Sequence, residues 1–227
     1  SMPAIKGTFW SLYNAVSETV DHNGRYIGTG RTRAENKMLS TVDGTGADFK
    51  AKGMFNGHPF DIGIFGTLST PAAYDAIAKA DCVVAFGTSL HHFTTDKGAL
   101  MKGKRVIQIN NTVTEIAKNY HPDAALMADA GLTAKNIVWW LDEAEIAGSG
   151  FTSELDMKVL TEHPKGNPDK SKPGFINFEY ALDRLEAALP KDRFLTTDGG
   201  RFMTEVWCRI TCPNAESFIA TTNFGSI

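Results

Sequence analysis

Five apolar residues without a break, Cys82-Val83-Val84-Ala85-Phe86, preceded by Asp81 and closed by Gly87, constrain this chain more than any other segment. A strand with one wet face alternates apolar and polar residues. An unbroken run suits a strand covered on both faces, as in a parallel sheet. A second run follows at Arg105 to Ile109, and a weaker third at Ala124 to Ala128. Helical patterns flank them. Pro71, after Ser69-Thr70, marks a first helical turn with Ala72, Ala73, Ile77 and Ala78 on one face. Leu132 to Ala144 places Leu132, Ile137, Trp140, Leu141 and Ala144 on or near one face, and Trp139-Trp140 read as helix-face packing. Strands alternating with helices across short connections predict an α/β fold, a Rossmann-like parallel sheet with helices on both faces.

Upstream, Phe9 to Val20 carries a helical stripe, and Arg25-Tyr26-Ile27 is a short strand before Gly28-Thr29-Gly30 and a polar helical stretch from Arg31 to Ser40. Gly28 and Gly30 match the start of a dinucleotide fingerprint, in which glycines let backbone approach a pyrophosphate at a helix N-terminus. Arg33 stands where the third glycine belongs, so an ordinary strand-to-helix turn competes with nucleotide binding. Glycines are dense from Gly44 to Gly66, and His58-Pro59 lies among them as a conformational feature.

Residues 148–174 shift to Pro, Gly, Asn and Lys, the composition of a linker. This divides the chain into 1–147, the linker 148–174, and 175–227. After the linker come a helix over Asn177 to Leu189, a strand over Phe194 to Thr197, and the turn Asp198-Gly199-Gly200. Some fifty residues bury too little to hold a normal core alone, so a truncated second α/β unit is expected.

Charge and cysteine usage narrow the function. With 23 basic against 26 acidic side chains there is no surplus of Lys and Arg to hold nucleic acid or an anionic membrane. No stretch reaches the roughly twenty apolar residues of a spanning helix, and no signal pattern opens the chain. Three cysteines, Cys82, Cys208 and Cys212, fit a reducing, cytoplasmic setting. Cys208 and Cys212 are expected to be buried thiols, since a lone pair lacks the other ligands of a structural zinc. His91-His92, on extended backbone, are expected to point apart in a polar loop. No nucleophile elbow, Walker loop or zincin motif is present, so no catalytic residue and no metal ligand is assigned.

Several segments in collinear order carry a resemblance: Gly53-Met54-Phe55 with His58-Pro59, Gly63 and Gly66; Ala80 to Thr88; Val106 to Asn110 with Glu115 to Asn119 and Asp129; then Ala188-Leu189-Pro190, Thr197 to Gly200, and Gly225-Ser226-Ile227. Together they resemble the central domain, and the opening of the C-terminal domain, of thiamine-diphosphate-dependent enzymes of the acetolactate synthase large-subunit type. The resemblance implies thiamine diphosphate held through magnesium, a small 2-oxo acid substrate, and a homo-oligomer in the complete enzyme. It implies that Gly200 and Arg201 line the cofactor pocket, that the Gly225 carbonyl accepts from the aminopyrimidine with Ser226 beside it, and that Ile227 wedges the bent cofactor. Bringing the two rings together lets the amino group take the thiazolium proton. Where relatives of this type hold FAD, this chain has Ser89-Leu90-His91-His92-Phe93, and Asn110 in place of an acidic residue, departures that argue against FAD. The activating glutamate domain and the metal–diphosphate motif are missing from these residues. The chain is therefore expected to be a fragment of a 2-oxo acid decarboxylase or carboligase, inactive alone. The alternative is a stand-alone nucleotide-binding or regulatory and dimerisation module.

Overall fold

A computed structural model describes residues 52–53, 55–56, 61–146, 155–156, 158, 160 and 168–220. The expected elements before residue 52, and most of the linker, lie outside the described residues. The first helix, α1 (Pro71–Lys79), starts as its sequence dictates: Pro71 occupies the first turn and the Thr70 hydroxyl accepts from the Ala73 amide at 3.2 Å. Its buried face is Ala73, Ala76 and Ile77, while Ala78 is exposed.

Three parallel strands follow in the order β1 (Cys82–Phe86), β2 (Arg105–Asn110) and β3 (Ala124–Met127), with Val84 paired to Ile107 and Ile109 to Leu126. Both faces of β1 are covered, which is why its sequence does not alternate. Cys82, Val84 and Phe86 pack with Ile109 against Ala130, Ala134 and Ile137 of α3 (Ala130–Glu143). Val83, Ala85 and Val106 pack on the other side against Ile77 of α1 and against Leu90, Leu100 and Met101. Helices thus cover both faces of a parallel sheet. The third strand departs from expectation in that all four of its residues are exposed. A single-turn helix, α2 (His92–Thr95), follows β1.

The Asp129 carboxylate caps α3 at the Leu132 amide, 2.9 Å away, so the helix begins two residues earlier than its large apolar side chains suggested. Its sheet-facing surface is made of small residues, Ala130, Gly131 and Ala134, with Ile137 and Leu141 half-buried. Leu132, Trp139 and Trp140 are exposed, against the sequence expectation of a packed face. Small side chains let the helix axis sit close to the sheet, and that turns the bulky residues outward.

Loop residues 61–69 meet α2. The Thr67 amide donates to the Phe93 carbonyl at 2.8 Å, and Gly66 passes so near that a Cβ there would lie 2.6 Å from the same oxygen. With φ +110°, Gly66 is a position only glycine suits.

Beyond residue 168 the chain forms α4 (Phe178–Ala188), β4 (Leu195–Thr197), α5 (Met203–Arg209) and β5 (Phe218–Ala220), with β4 and β5 parallel. Of the apolar stripe expected on α4 only Leu182 is buried, and Phe178 and Leu185 are exposed. Ion pairs join α4 to α5: the Arg209 guanidinium meets Asp183 at 3.0 Å and Glu179 at 3.6 Å on α4, and Glu205 at 3.0 Å on its own helix. The core here is Trp207, Cys212 and Phe218 with Leu68, a residue from before α1, and Ile64 half-buried against it. No helix among the described residues is long and apolar enough to cross a membrane.

Candidate functional site

Parallel sheets place their functional loops at the carboxyl ends of strands, because each strand there hands over to a loop before the returning helix. Two such ends are described. At the end of β4, buried Thr197 accepts from the Trp207 indole at 2.8 Å, and the Asp198 carboxylate accepts from the Gly199 amide at 2.7 Å. Gly199 is buried and Gly200 half-buried with φ +148°; a Cβ on Gly200 would meet the Phe202 ring at 2.8 Å. Arg201 is exposed beside it. Gly200 and Arg201 therefore sit at one strand-end turn, while Gly225, Ser226 and Ile227, and likewise Gly28, Gly30 and His58, lie outside the described residues.

At the other end, Gly87 and Thr88 follow β1 and Asn110 closes β2. Gln108, fully buried in the middle of β2, holds this edge together: its amide donates to the Thr88 carbonyl at 2.8 Å and the Glu115 carbonyl at 3.0 Å, and its oxygen accepts from the Ala117 amide at 2.9 Å. Leu90 and Ala117, in the two loops tied by Gln108, are both left-handed, at φ 53° and 56°. Sequence reasoning passed over Gln108. Its signal was a polar residue within an otherwise apolar buried strand, which must find partners for both ends of its amide.

The histidines behave differently from the extended-strand expectation. His91 caps α2 and His92 opens it, so the backbone turns and the two rings come together with centroids 3.7 Å apart, Phe93 lying 4.3 Å from His92. No group of three His, Cys, Asp or Glu side chains among the described residues could hold a metal ion.

A third cluster closes a seam between residues 52–68 and 207–213. The Lys52 ammonium donates to the Trp207 carbonyl at 2.7 Å, and Asn56 donates to the Pro213 carbonyl at 3.3 Å. The Cys212 thiol donates to the Lys52 carbonyl at 3.3 Å and the Cys208 thiol to the Leu68 carbonyl at 2.9 Å. Cys212 is buried as expected; Cys208 is only half-buried, since α5 turns it toward the loop carrying Leu68. Burial pushes the Cys208 thiol up to about 11, opposed by nearby Lys52, and pushes Cys82 to about 11 with help from Asp81. Burial also raises Cys212 and lowers Lys52 from the usual lysine range. Such thiols are poor nucleophiles. At pH 8 we expect iodoacetamide to label the native chain at least about a hundredfold more slowly than the urea-unfolded chain, because so little thiolate is present. Fast labelling of one cysteine, read by mass spectrometry, would contradict this environment.

Residues 26–137 match the model of the thiamine pyrophosphate enzyme central domain. Over residues 26–137 the chain is thus similar to the thiamine pyrophosphate enzyme family. Its α/β architecture, a parallel sheet with helices on both faces, agrees with that likeness. The chain is 24% identical over 186 residues to YdaP of Bacillus subtilis (strain 168), provisionally described as a thiamine pyrophosphate-containing protein, a match covering 76% of this chain and 30% of that protein. It is 29% identical over 168 residues to a sulfoacetaldehyde acetyltransferase of Rhodobacter capsulatus, covering 63% and 28% of the two chains. To an acetolactate synthase of Mycobacterium leprae it is 26% identical over 172 residues, covering 70% and 27%. The matched region thus spans about 30% or less of the length of these curated relatives. The family implies thiamine diphosphate. The described residues do not fit that group by themselves, since no cluster of three His, Cys, Asp or Glu side chains among them could hold a metal–diphosphate. No chemical step is derived through it.

Proposed function

We propose that residues 1–147 are the central domain, 148–174 a linker, and 175–227 the beginning of the diphosphate-binding domain of a thiamine-diphosphate-dependent 2-oxo acid decarboxylase or carboligase, acetolactate synthase-like in type. The observation that carries this reading is the family match over 26–137, followed in the chain by a second parallel pair of strands whose β4 ends on Asp198-Gly199-Gly200. In the complete cytoplasmic enzyme, a homo-oligomer, Gly200, Arg201, Gly225, Ser226 and Ile227 border thiamine diphosphate held with magnesium, and the substrate is a small 2-oxo acid. FAD is not expected: Asn110 spends its side-chain oxygen on the Thr112 amide at 2.9 Å, where a carboxylate would be needed for a ribose. The 227-residue chain alone is inactive. Incubated with pyruvate, thiamine diphosphate and magnesium it releases no carbon dioxide above the protein-free rate; sustained turnover overturns the reading.

One observation favours a second reading, a nucleotide-binding module. His91, His92 and Phe93 bring three rings together at the carboxyl edge of the sheet, a platform on which a purine or flavin could stack. Calorimetric titration with FAD, NAD and ADP decides it, and no heat from any of the three removes it.

A further inference from the structure

Asp198 and Gly199 stand where β4 hands over to the turn before α5, and their atoms already lie as a ring closure needs them. The Asp198 side-chain oxygen Oδ1 is 2.7 Å from the Gly199 main-chain nitrogen. Its Cγ is bonded to that oxygen. The nitrogen is therefore held against the one side-chain carbon with which it can close a five-membered ring, and a held contact of this kind replaces a search that a flexible chain must make at every attempt. Glycine leaves the approach open, because it has no Cβ to shield its nitrogen. Asp198 is half-buried, so water can reach the carboxyl group and leave it, while Gly199 is buried. On the other side, buried Thr197 is fixed by the Trp207 indole at 2.8 Å. Core thus anchors the turn, and solvent meets its reactive group.

We propose that Asp198 is a site of spontaneous isomerisation to isoaspartate, promoted by the fold. The Gly199 nitrogen forms a bond to Cγ of the carboxylic acid, the Cγ–O bond breaks, and water leaves with the amide proton, giving a cyclic succinimide. Water then adds to one of the two ring carbonyls and the C–N bond at that carbon breaks. Opening at Cγ restores Asp198. Opening at the main-chain carbonyl leaves the chain running through Cγ, which is isoaspartate. One water leaves and one returns, so the mass is unchanged and no oxidant, metal or cofactor takes part. The product has one extra carbon in the main chain between Thr197 and Gly200. Gly200, at φ +148° with a Cβ position only 2.8 Å from the Phe202 ring, is then aimed differently, and Arg201 with it. The inference goes beyond the enzymatic reading and does not depend on it.

Incubation of the 227-residue chain at pH 7 over several weeks, followed by proteolysis and mass spectrometry, tests it. Isoaspartate appears as a second chromatographic peak of equal mass on the peptide carrying residue 198, assigned by electron-transfer fragmentation. The expected rate in the native chain is at least about threefold above that in a synthetic peptide of residues 194–203, which has the same neighbours without the held contact. Asp198→Asn, from which ammonia leaves instead of water, reacts faster than the unaltered chain and gains the mass of a deamidation. Asp198→Glu, whose ring would have six members, loses the reaction while keeping the charge. Circular dichroism before and after incubation confirms that each chain compared is folded. A native rate equal to or below that of the peptide overturns the proposal, since the fold would then be holding the two groups out of reaction. So does an Asp198→Asn chain that stays unaltered at that position. Release of carbon dioxide or binding of a cofactor bears on the enzymatic reading alone and moves neither outcome.

Discussion

Trp207→Ala is expected to lower the unfolding free energy by about 3–5 kcal/mol, the largest single loss expected from a buried apolar side chain among the described residues. Trp207 is fully buried and meets Phe218 edge to face, with centroids 5.7 Å apart. Three further ties converge on it: its indole donates to Thr197, its carbonyl receives Lys52, and its ring packs with Leu68 from before α1. Truncation leaves a cavity and also removes the hydrogen-bond donor of a buried hydroxyl. Because Leu68 and Lys52 belong to the other side of the seam, the damage is not confined to the last fifty residues. Urea unfolding monitored by far-UV circular dichroism should show the midpoint falling. Trp207→Phe, which keeps ring packing, should cost less than half as much. Equal costs for the two substitutions would mean that the cavity is not the cause.

Arg209→Ala is expected to cost about 3–5 kcal/mol, the range for removing one partner from a buried ion cluster. Arg209 is buried, and its guanidinium neutralises Asp183, Glu205 and Glu179. Without it three carboxylates face one another where α4 meets α5, leaving α4 held by its one buried residue, Leu182, and by Glu186, which pairs with Arg193 and accepts from Thr211. The carboxylates left without it repel one another across the contact of α4 with α5. Arg209→Lys keeps one charge but loses the fork that reaches several acids, and should recover only part of the loss. Urea unfolding curves for both variants check this; equal losses for Arg209→Ala and Arg209→Lys would contradict it.

These two sites also show what the sequence could and could not disclose. The strand Cys82 to Phe86 was legible because burial on both faces demands an unbroken apolar run, and Pro71 and Asn177 were legible because helix ends are governed by neighbouring residues. The outward face of α3 was not. Periodicity ranks positions by apolarity, so it selected Leu132 and Trp140, whereas the sheet accepts Ala130 and Ala134 because they are small. The rings of His91 and His92 converge because the backbone turns into α2 at that point, a turn that pairwise spacing does not reveal. Lys52 on Trp207 is a contact between residues 155 apart in sequence, and no local pattern encodes it. Of the candidate site, the turn at Gly200 was found from the strand-then-glycine pattern, while the bracing of the other strand end by Gln108 was passed over.

We propose that residues 26–137 are a scaffold domain of a thiamine pyrophosphate enzyme and that the chain does not by itself make the cofactor site. Isothermal titration of the purified 227-residue chain with thiamine diphosphate and magnesium tests that directly. No saturable heat in the micromolar range is the predicted result. A one-to-one isotherm that disappears when magnesium is replaced by a chelator would contradict it, because it would require a metal–diphosphate site within these residues.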